Sequence, residues 1–248
     1  MKKLLLFSLT IISSFLLSQK FTIDTLLTDK ISIRAIQLWD GKVWYAGTDS
    51  KFGYVDLENV NNKKQIRLSQ KSLQFRTLAQ NNKYFYAINI ESPAYFFQVD
   101  KKTLDSKVVF NDNDPTAFYD ALKFTDNNFG LAFSDPSANQ RLHISQTRKR
   151  GANWINCKNC KDFPYLEKGE AAFAASNTNI ASFRNVIWIA TGGAKSRIYR
   201  MKNKDCYWQV FETPFIQGTS SQGIYSIDFY DKNFGIAVGG DYTKQAEN

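Results

Sequence analysis

Five times along the chain a short strand-like segment is followed by turn-forming residues and then by an aromatic-rich segment that ends in small residues. Four copies align without a gap: Arg34-Ala35-Ile36-Gln37-Leu38 before Val43-Trp44-Tyr45-Ala46-Gly47, Asp120-Ala121-Leu122-Lys123-Phe124 before Phe129-Gly130-Leu131-Ala132-Phe133, Thr178-Asn179-Ile180 before Ile187-Trp188-Ile189-Ala190-Thr191, and Tyr225-Ser226-Ile227-Asp228-Phe229 before Phe234-Gly235-Ile236-Ala237-Val238. A fifth, Arg76-Thr77-Leu78 before Tyr84-Phe85-Tyr86-Ala87-Ile88, fits after a one-residue deletion. Asp40-Gly41, Asn81-Asn82, Asn127-Asn128, Arg184-Asn185 and Asp231-Lys232-Asn233 lie between the paired segments. Such residues tolerate the positive φ of tight hairpin turns, so each unit reads as antiparallel. Successive units start roughly 42 to 58 residues apart, the size of a four-stranded propeller blade.

The fold class expected is therefore all-β: a β-propeller of four-stranded antiparallel blades, with repeat units starting near 34, 76, 120, 178 and 225. Composition agrees, since 15% of residues are aromatic and only 2 are Met, which suits pleated strands better than helices. The last unit stops after its second strand. A propeller removes its sheet edges by closing the ring, so the expectation is a six- or seven-bladed ring, incomplete at the C-terminus, the alternative being a five-bladed ring whose outer strands come from the segment before Arg34. The longest interval, Asp120 to Thr178, holds an inserted loop over about 148–176.

Residues 1–19 read as a signal peptide: Lys2 and Lys3, an apolar run from Leu4 to Leu17, then Ser18 and Gln19. The run is too short to span a membrane comfortably, and no later segment is long and apolar enough to do so. Residues 20–248 are then one exported domain, periplasmic or extracellular. The net charge of +9, about +7 without Lys2 and Lys3, suits an anionic partner such as an acidic protein, an acidic glycan or a membrane surface, or else is a scattered solvated surface tuned for solubility, and export argues against nucleic acid.

Several stretches resemble a known group: Gly169-Glu170-Ala171-Ala172-Phe173-Ala174-Ala175-Ser176-Asn177, Ile187-Trp188-Ile189-Ala190-Thr191-Gly192-Gly193-Ala194, Val210-Phe211-Glu212-Thr213-Pro214, and Gly223 to Tyr242. They are similar to bacterial secreted proteins related to the photosystem II stability/assembly factor, whose propeller repeats resemble the bacterial neuraminidase (BNR) repeat. The resemblance implies a propeller that holds or helps assemble another protein, and it implies a longer chain than this one. The neuraminidase-type repeat carries an Asp-box, Ser/Thr-x-Asp-x-Gly-x-x-Trp. Thr147, Gly151 and Trp154 keep their places, but Lys149 stands where Asp belongs. A second copy, 54 residues on, keeps Trp208 alone, with Asn203 and Asp205 at the Asp and Gly places.

Residues at one repeat position converge on the channel of a propeller. Here they are Arg34, Arg76, Asp120, Thr178 and Tyr225, a basic and hydrogen-bonding set that makes the candidate ligand-binding site. With Glu170 from the inserted loop, Asp120 and Tyr225 also fit a sialidase-like scheme, in which an Asp is the acid/base and a Tyr is activated by Glu. Sialidases hold their substrate's carboxylate with three arginines, and only two can be placed. Two functions stay open: a non-catalytic protein-binding or assembly scaffold, and a glycoside hydrolase of sialidase-like type acting on acidic glycans.

Cys157 and Cys160 have disulfide spacing and would staple the inserted loop in an oxidising compartment, with Cys160 to Cys206 as the other pairing. Zinc would need two further ligands, and only His143 and Cys206 remain. No metal and no cofactor is therefore expected. Members of the resembling group are often labelled oxidoreductases, but Gly192-Gly193 and Gly239-Gly240 open no helix and form no dinucleotide fingerprint. Arg148-Lys149-Arg150 is the densest positive charge, either a docking patch or a solvated hairpin tip.

Overall fold

A computed structural model describes residues 21–136, 139–157, 165–202, 204–205 and 207–246. The proposed signal peptide, Cys160, Cys206 and Asn203 lie outside the described residues. The architecture is a five-bladed β-propeller built from antiparallel four-stranded sheets, with no helix among the described residues.

The first blade is β1 (Ile33–Trp39), β2 (Lys42–Gly47), β3 (Lys51–Asp56) and β4 (Lys63–Arg67), paired in that order. The second is β5 (Ala79–Gln80), β6 (Tyr84–Ile88), β7 (Ala94–Asp100) and β8 (Ser106–Asp112). The third is β9 (Tyr119–Phe124), β10 (Gly130–Ser134), β11 (His143–Thr147) and β12 (Ile155–Asn156). After β13 (Glu170–Ala171), the fourth blade is β14 (Ile180–Phe183), β15 (Val186–Ala190), β17 (Arg197–Lys202) and β18 (Trp208–Glu212), interrupted by β16 (Gly192–Gly193). The fifth sheet is put together differently: the hairpin β19 (Gln222–Phe229) and β20 (Gly235–Asp241) joins the short β13/β16 ladder through a single pair, Gly192↔Gly223. β20 is its edge strand.

The hairpins form where the repeat places them, in registers such as Leu38↔Val43, Leu122↔Ala132, Ala181↔Trp188 and Ile227↔Ala237. Their turns use two devices. Asp40, Gly41 and Arg184 adopt positive φ, at 53°, 67° and 52°. The other turns close through a side-chain acceptor instead: Asp126 Oδ1 takes the N–H groups of Asn128 and Phe129, Asp231 Oδ1 those of Asn233 and Phe234, and Asn81 Oδ1 those of Lys83 and Tyr84. In the second unit the expected inner strand at Arg76-Thr77-Leu78 is absent. The Thr77 hydroxyl replaces the ladder there, accepting from Ile88 N at 2.9 Å and donating to Ile88 O at 3.3 Å.

Between adjacent sheets the pleated faces bury their apolar side chains. Trp44, Phe52, Phe85 and Phe97 fill the first interface, Tyr86, Phe96, Leu122 and Trp154 the second, Leu131, Phe133, Ile189 and Met201 the third, and Trp188, Ile224 and Ile227 the fourth. In contrast, Ile36 and Leu38 on β1 and Ile236 and Val238 on β20 are exposed. Arg148, Lys149 and Arg150 sit in the turn between β11 and β12, the outer hairpin of the third blade. Thr147 Oγ1 accepts from Lys149 N and Gly151 N, Gly151 has φ 72°, and buried Trp154 donates to Gly151 O at 3.1 Å.

Candidate functional site

β1, β9, β19 and the loop entering β14 surround a cleft of about 710 Å³. Arg34 and Thr178 line it, together with Gln37, Lys123, Ser226 and Asp228, over apolar patches from Ile33, Ile36 and Ile180. Ser176 and Thr178 share a hydroxyl hydrogen bond of 2.6 Å. Arg34 and Lys123 have no carboxylate within 4.0 Å among the described residues, and no hydrogen bond holds either side chain. The cleft thus presents two cations without an ion-pair partner among the described residues, the Asp228 carboxylate, several hydroxyls and a few apolar walls.

Asn177 builds one wall. Its backbone is left-handed, with φ 58°, a conformation Asn accepts more readily than most residues. Its buried side chain accepts from Leu122 N at 2.8 Å and donates to Leu78 O and Leu122 O, tying the inserted loop to the second and third blades.

The other expected site residues separate from this cleft. Arg76 is half-buried and donates to Ala174 O at 3.4 Å. Asp120 is fully buried beside it, and neither of its oxygens has a well-formed hydrogen bond among the described residues. Burial pushes the Asp120 carboxyl well above the usual range, the neighbouring Asp135 adds to this, and Arg76 opposes it. Burial likewise pushes Asp135 up to about 6, against a hydrogen bond from Ala172 N.

Tyr225 is the extra residue of a bulge, since Ile224 pairs with Gly239 while Ser226 pairs with Val238. The bulge re-aims its ring against Phe173 at 4.8 Å, and its hydroxyl lies 2.7 Å from both Ser221 O and Gly240 O. Glu170 is buried elsewhere. It accepts from Arg197 Nε at 3.1 Å and Nη2 at 2.5 Å, from Tyr199 Oη at 2.9 Å, from Thr191 Oγ1 at 2.6 Å and from Glu167 N at 2.9 Å. The tyrosine that meets Glu170 is therefore Tyr199, whose phenol is pushed far up by burial and by the Glu170 charge. An activated nucleophile needs the opposite shift.

A second buried network escaped the sequence reading. Asp112 Oδ2 lies 2.7 Å from both Tyr119 Oη and His143 Nε2, and Tyr119 Oη lies 2.7 Å from Ser145 Oγ, which reaches Asn156. These groups come from four strands, so no local motif announces them. Cys157 packs against the core of the third and fourth blades, whereas its expected partner Cys160 is outside the described residues. Among the described residues no three His, Cys, Asp or Glu side chains sit together at metal-binding spacing, and no helix is long and apolar enough to cross a membrane.

No family model matches the chain, and no curated protein matches it in sequence. Solved structures do. U3-55K superposes with a TM-score of 0.59 at 13% identity, covering 86% of this chain and 59% of its own, so the chain spans little more than half of that protein. YCF48 bound to D1 peptide superposes with a TM-score of 0.50 at 10% identity, covering 88% of this chain and 78% of its own. At these identities the likeness is one of fold, and this chain is similar to both as a β-propeller.

Proposed function

We propose that this chain is an exported β-propeller that binds an acidic partner protein as a scaffold, taking the partner's carboxylates at the channel cleft around Arg34 and Lys123. The observation that carries the reading is that two cations unpaired among the described residues share one polar cleft with a single carboxylate, Asp228, on a chain whose net charge is +9, or about +7 without Lys2 and Lys3. A fold neighbour, YCF48, is known bound to a peptide, which supports peptide capture as a use of this architecture. Against the glycosidase alternative, Tyr225, Glu170 and Asp120 stand in three separate environments, and the two Glu170 oxygens already accept from five protein donors.

Fluorescence polarisation with a labelled hexaglutamate peptide tests this. Binding that weakens with added salt and with Arg34→Ala is expected, because the contacts are charge-assisted and partly exposed. Hydrolysis of a sialylated or uronate glycan that disappears in Tyr225→Phe would instead restore the enzyme reading.

A further inference from the structure

A second cleft, of about 500 Å³, opens at the hairpin-turn end between the first three blades, away from the channel residues just described. Trp39 and Phe124 flank it, Gln80 and Asn127 contribute amides, and Lys101 and Thr125 complete it. Lys101 comes from the turn after β7, and its side chain is only 6% exposed. Its ammonium sits 4.8 Å from the centre of the Trp39 ring and 4.9 Å from that of Phe85, and it donates to Gln80 Oε1 at 2.6 Å.

A lysine normally buries its methylene stem and leaves its head in water. This one buries the head too, and no carboxylate lies within 4.0 Å of it among the described residues. Asp126, which also lines the cleft, is ion-paired to Lys204 and accepts two backbone N–H groups. Two aromatic faces and one amide oxygen offset only part of the cost of desolvating an ammonium, and two of its three N–H groups have no protein acceptor among the described residues. Burial holds the amine near 8. The Thr125 hydroxyl is independently buried without a hydrogen-bond partner among the described residues, just beneath the cleft wall that its residue helps to form. An unneutralised cation therefore lines a cleft with aromatic walls, and an unused hydroxyl lies directly behind one of them.

We propose that this cleft is a binding site for a carboxylate carried on an apolar or aromatic body, with Lys101 supplying the charge and Thr125 a hydrogen bond. The carboxylate could come from a small organic acid or from the C-terminus of a peptide, and both present the same chemistry. The proposal is independent of the channel reading.

Quenching of tryptophan fluorescence tests it with benzoate, with the peptide acetyl-Gly-Gly-Phe bearing a free C-terminus, and with benzamide and the amidated peptide as neutral controls. Saturable binding of at least one acid is expected, in about the millimolar range or tighter, with no binding of its amide. Lys101→Met should lower the affinity by about 10- to 100-fold, the value of one charge-assisted hydrogen bond, and Thr125→Val by several-fold. Because Lys101→Met removes a buried charge and keeps the stem, the variant should fold at least as stably as the parent. Which acid binds identifies the source. Failure of both acids to bind, equal binding of the amides, or unchanged affinity in Lys101→Met overturns the site.

Discussion

Glu170→Ala should destabilise the protein by about 3–5 kcal/mol, the cost of removing one partner from a buried ion pair. Glu170 is 1% exposed and satisfies five donors at once: two from Arg197, one each from Tyr199 and Thr191, and the Glu167 amide. Without it the Arg197 guanidinium stays buried with Tyr165 O at 3.0 Å and a distant Glu212 carboxylate at 3.8 Å. The loss falls on β13, whose two-residue ladder with β16 connects the inserted loop to the fifth sheet. For a domain of this size the urea slope is about 2–3 kcal/mol/M, so the unfolding midpoint should drop by about 1–2 M, read by far-UV circular dichroism. Pairing Glu170→Leu with Arg197→Met removes both charges and should recover most of the loss, a coupling that a double-mutant cycle measures. A loss below about 1 kcal/mol in Glu170→Ala, or strict additivity of the two changes, would refute the assignment of Glu170 as a structural anchor.

Three further outcomes follow from the same structure. Asp135 has its folded pKa raised from 3.8 to about 6, so the folded state holds a proton that the unfolded state releases, and stability should fall by roughly 2–3 kcal/mol as pH rises from about 4 to 6. Asp135→Asn should reduce that slope in urea midpoints measured across the range, leaving the part that the raised Asp120 carboxyl contributes with the same sign. Tyr225→Phe should cost only about 1 kcal/mol, the value of the hydroxyl it loses between Ser221 O and Gly240 O, and should leave hexaglutamate binding unchanged by polarisation. Ile236→Lys, on the exposed face of an edge strand, should reduce self-association in light scattering while shifting stability by less than about 0.5 kcal/mol.

The repeat was legible because a hairpin leaves a local trace: alternating apolar residues, turn formers, and a second strand ending in small residues. Registers such as Leu38↔Val43 and Ile227↔Ala237 sit where that trace places them. The site was harder to read, because equivalent repeat positions do not guarantee equivalent directions. A one-residue offset along a strand turns a side chain from the channel into the interface between blades. Arg34 and Thr178 line one cleft, whereas Asp120 lies fully buried and the Tyr225 bulge swings its ring toward Phe173. Arg76 precedes its strand altogether, since β5 begins at Ala79. Lys123 carried no motif, and it shares a cleft with Arg34 only because the strands of separate repeat units come together there. The partners of Glu170 are 27 and 29 residues away on β17, a separation over which sequence pattern holds no information about contact. The turns teach a related lesson: Asp40 supplies positive φ, while Asp126 and Asp231 close the same kind of turn with a carboxylate oxygen.

The central claim is that acidic groups bind at the channel cleft through Arg34 and Lys123, and reversing both charges tests it most directly. In Arg34→Glu/Lys123→Glu, hexaglutamate affinity should fall by about ten-fold or more at low salt, and a hexalysine peptide that the parent ignores should bind. Unchanged hexaglutamate affinity in a variant with the parent's unfolding midpoint would contradict the account and move the binding surface elsewhere on the propeller.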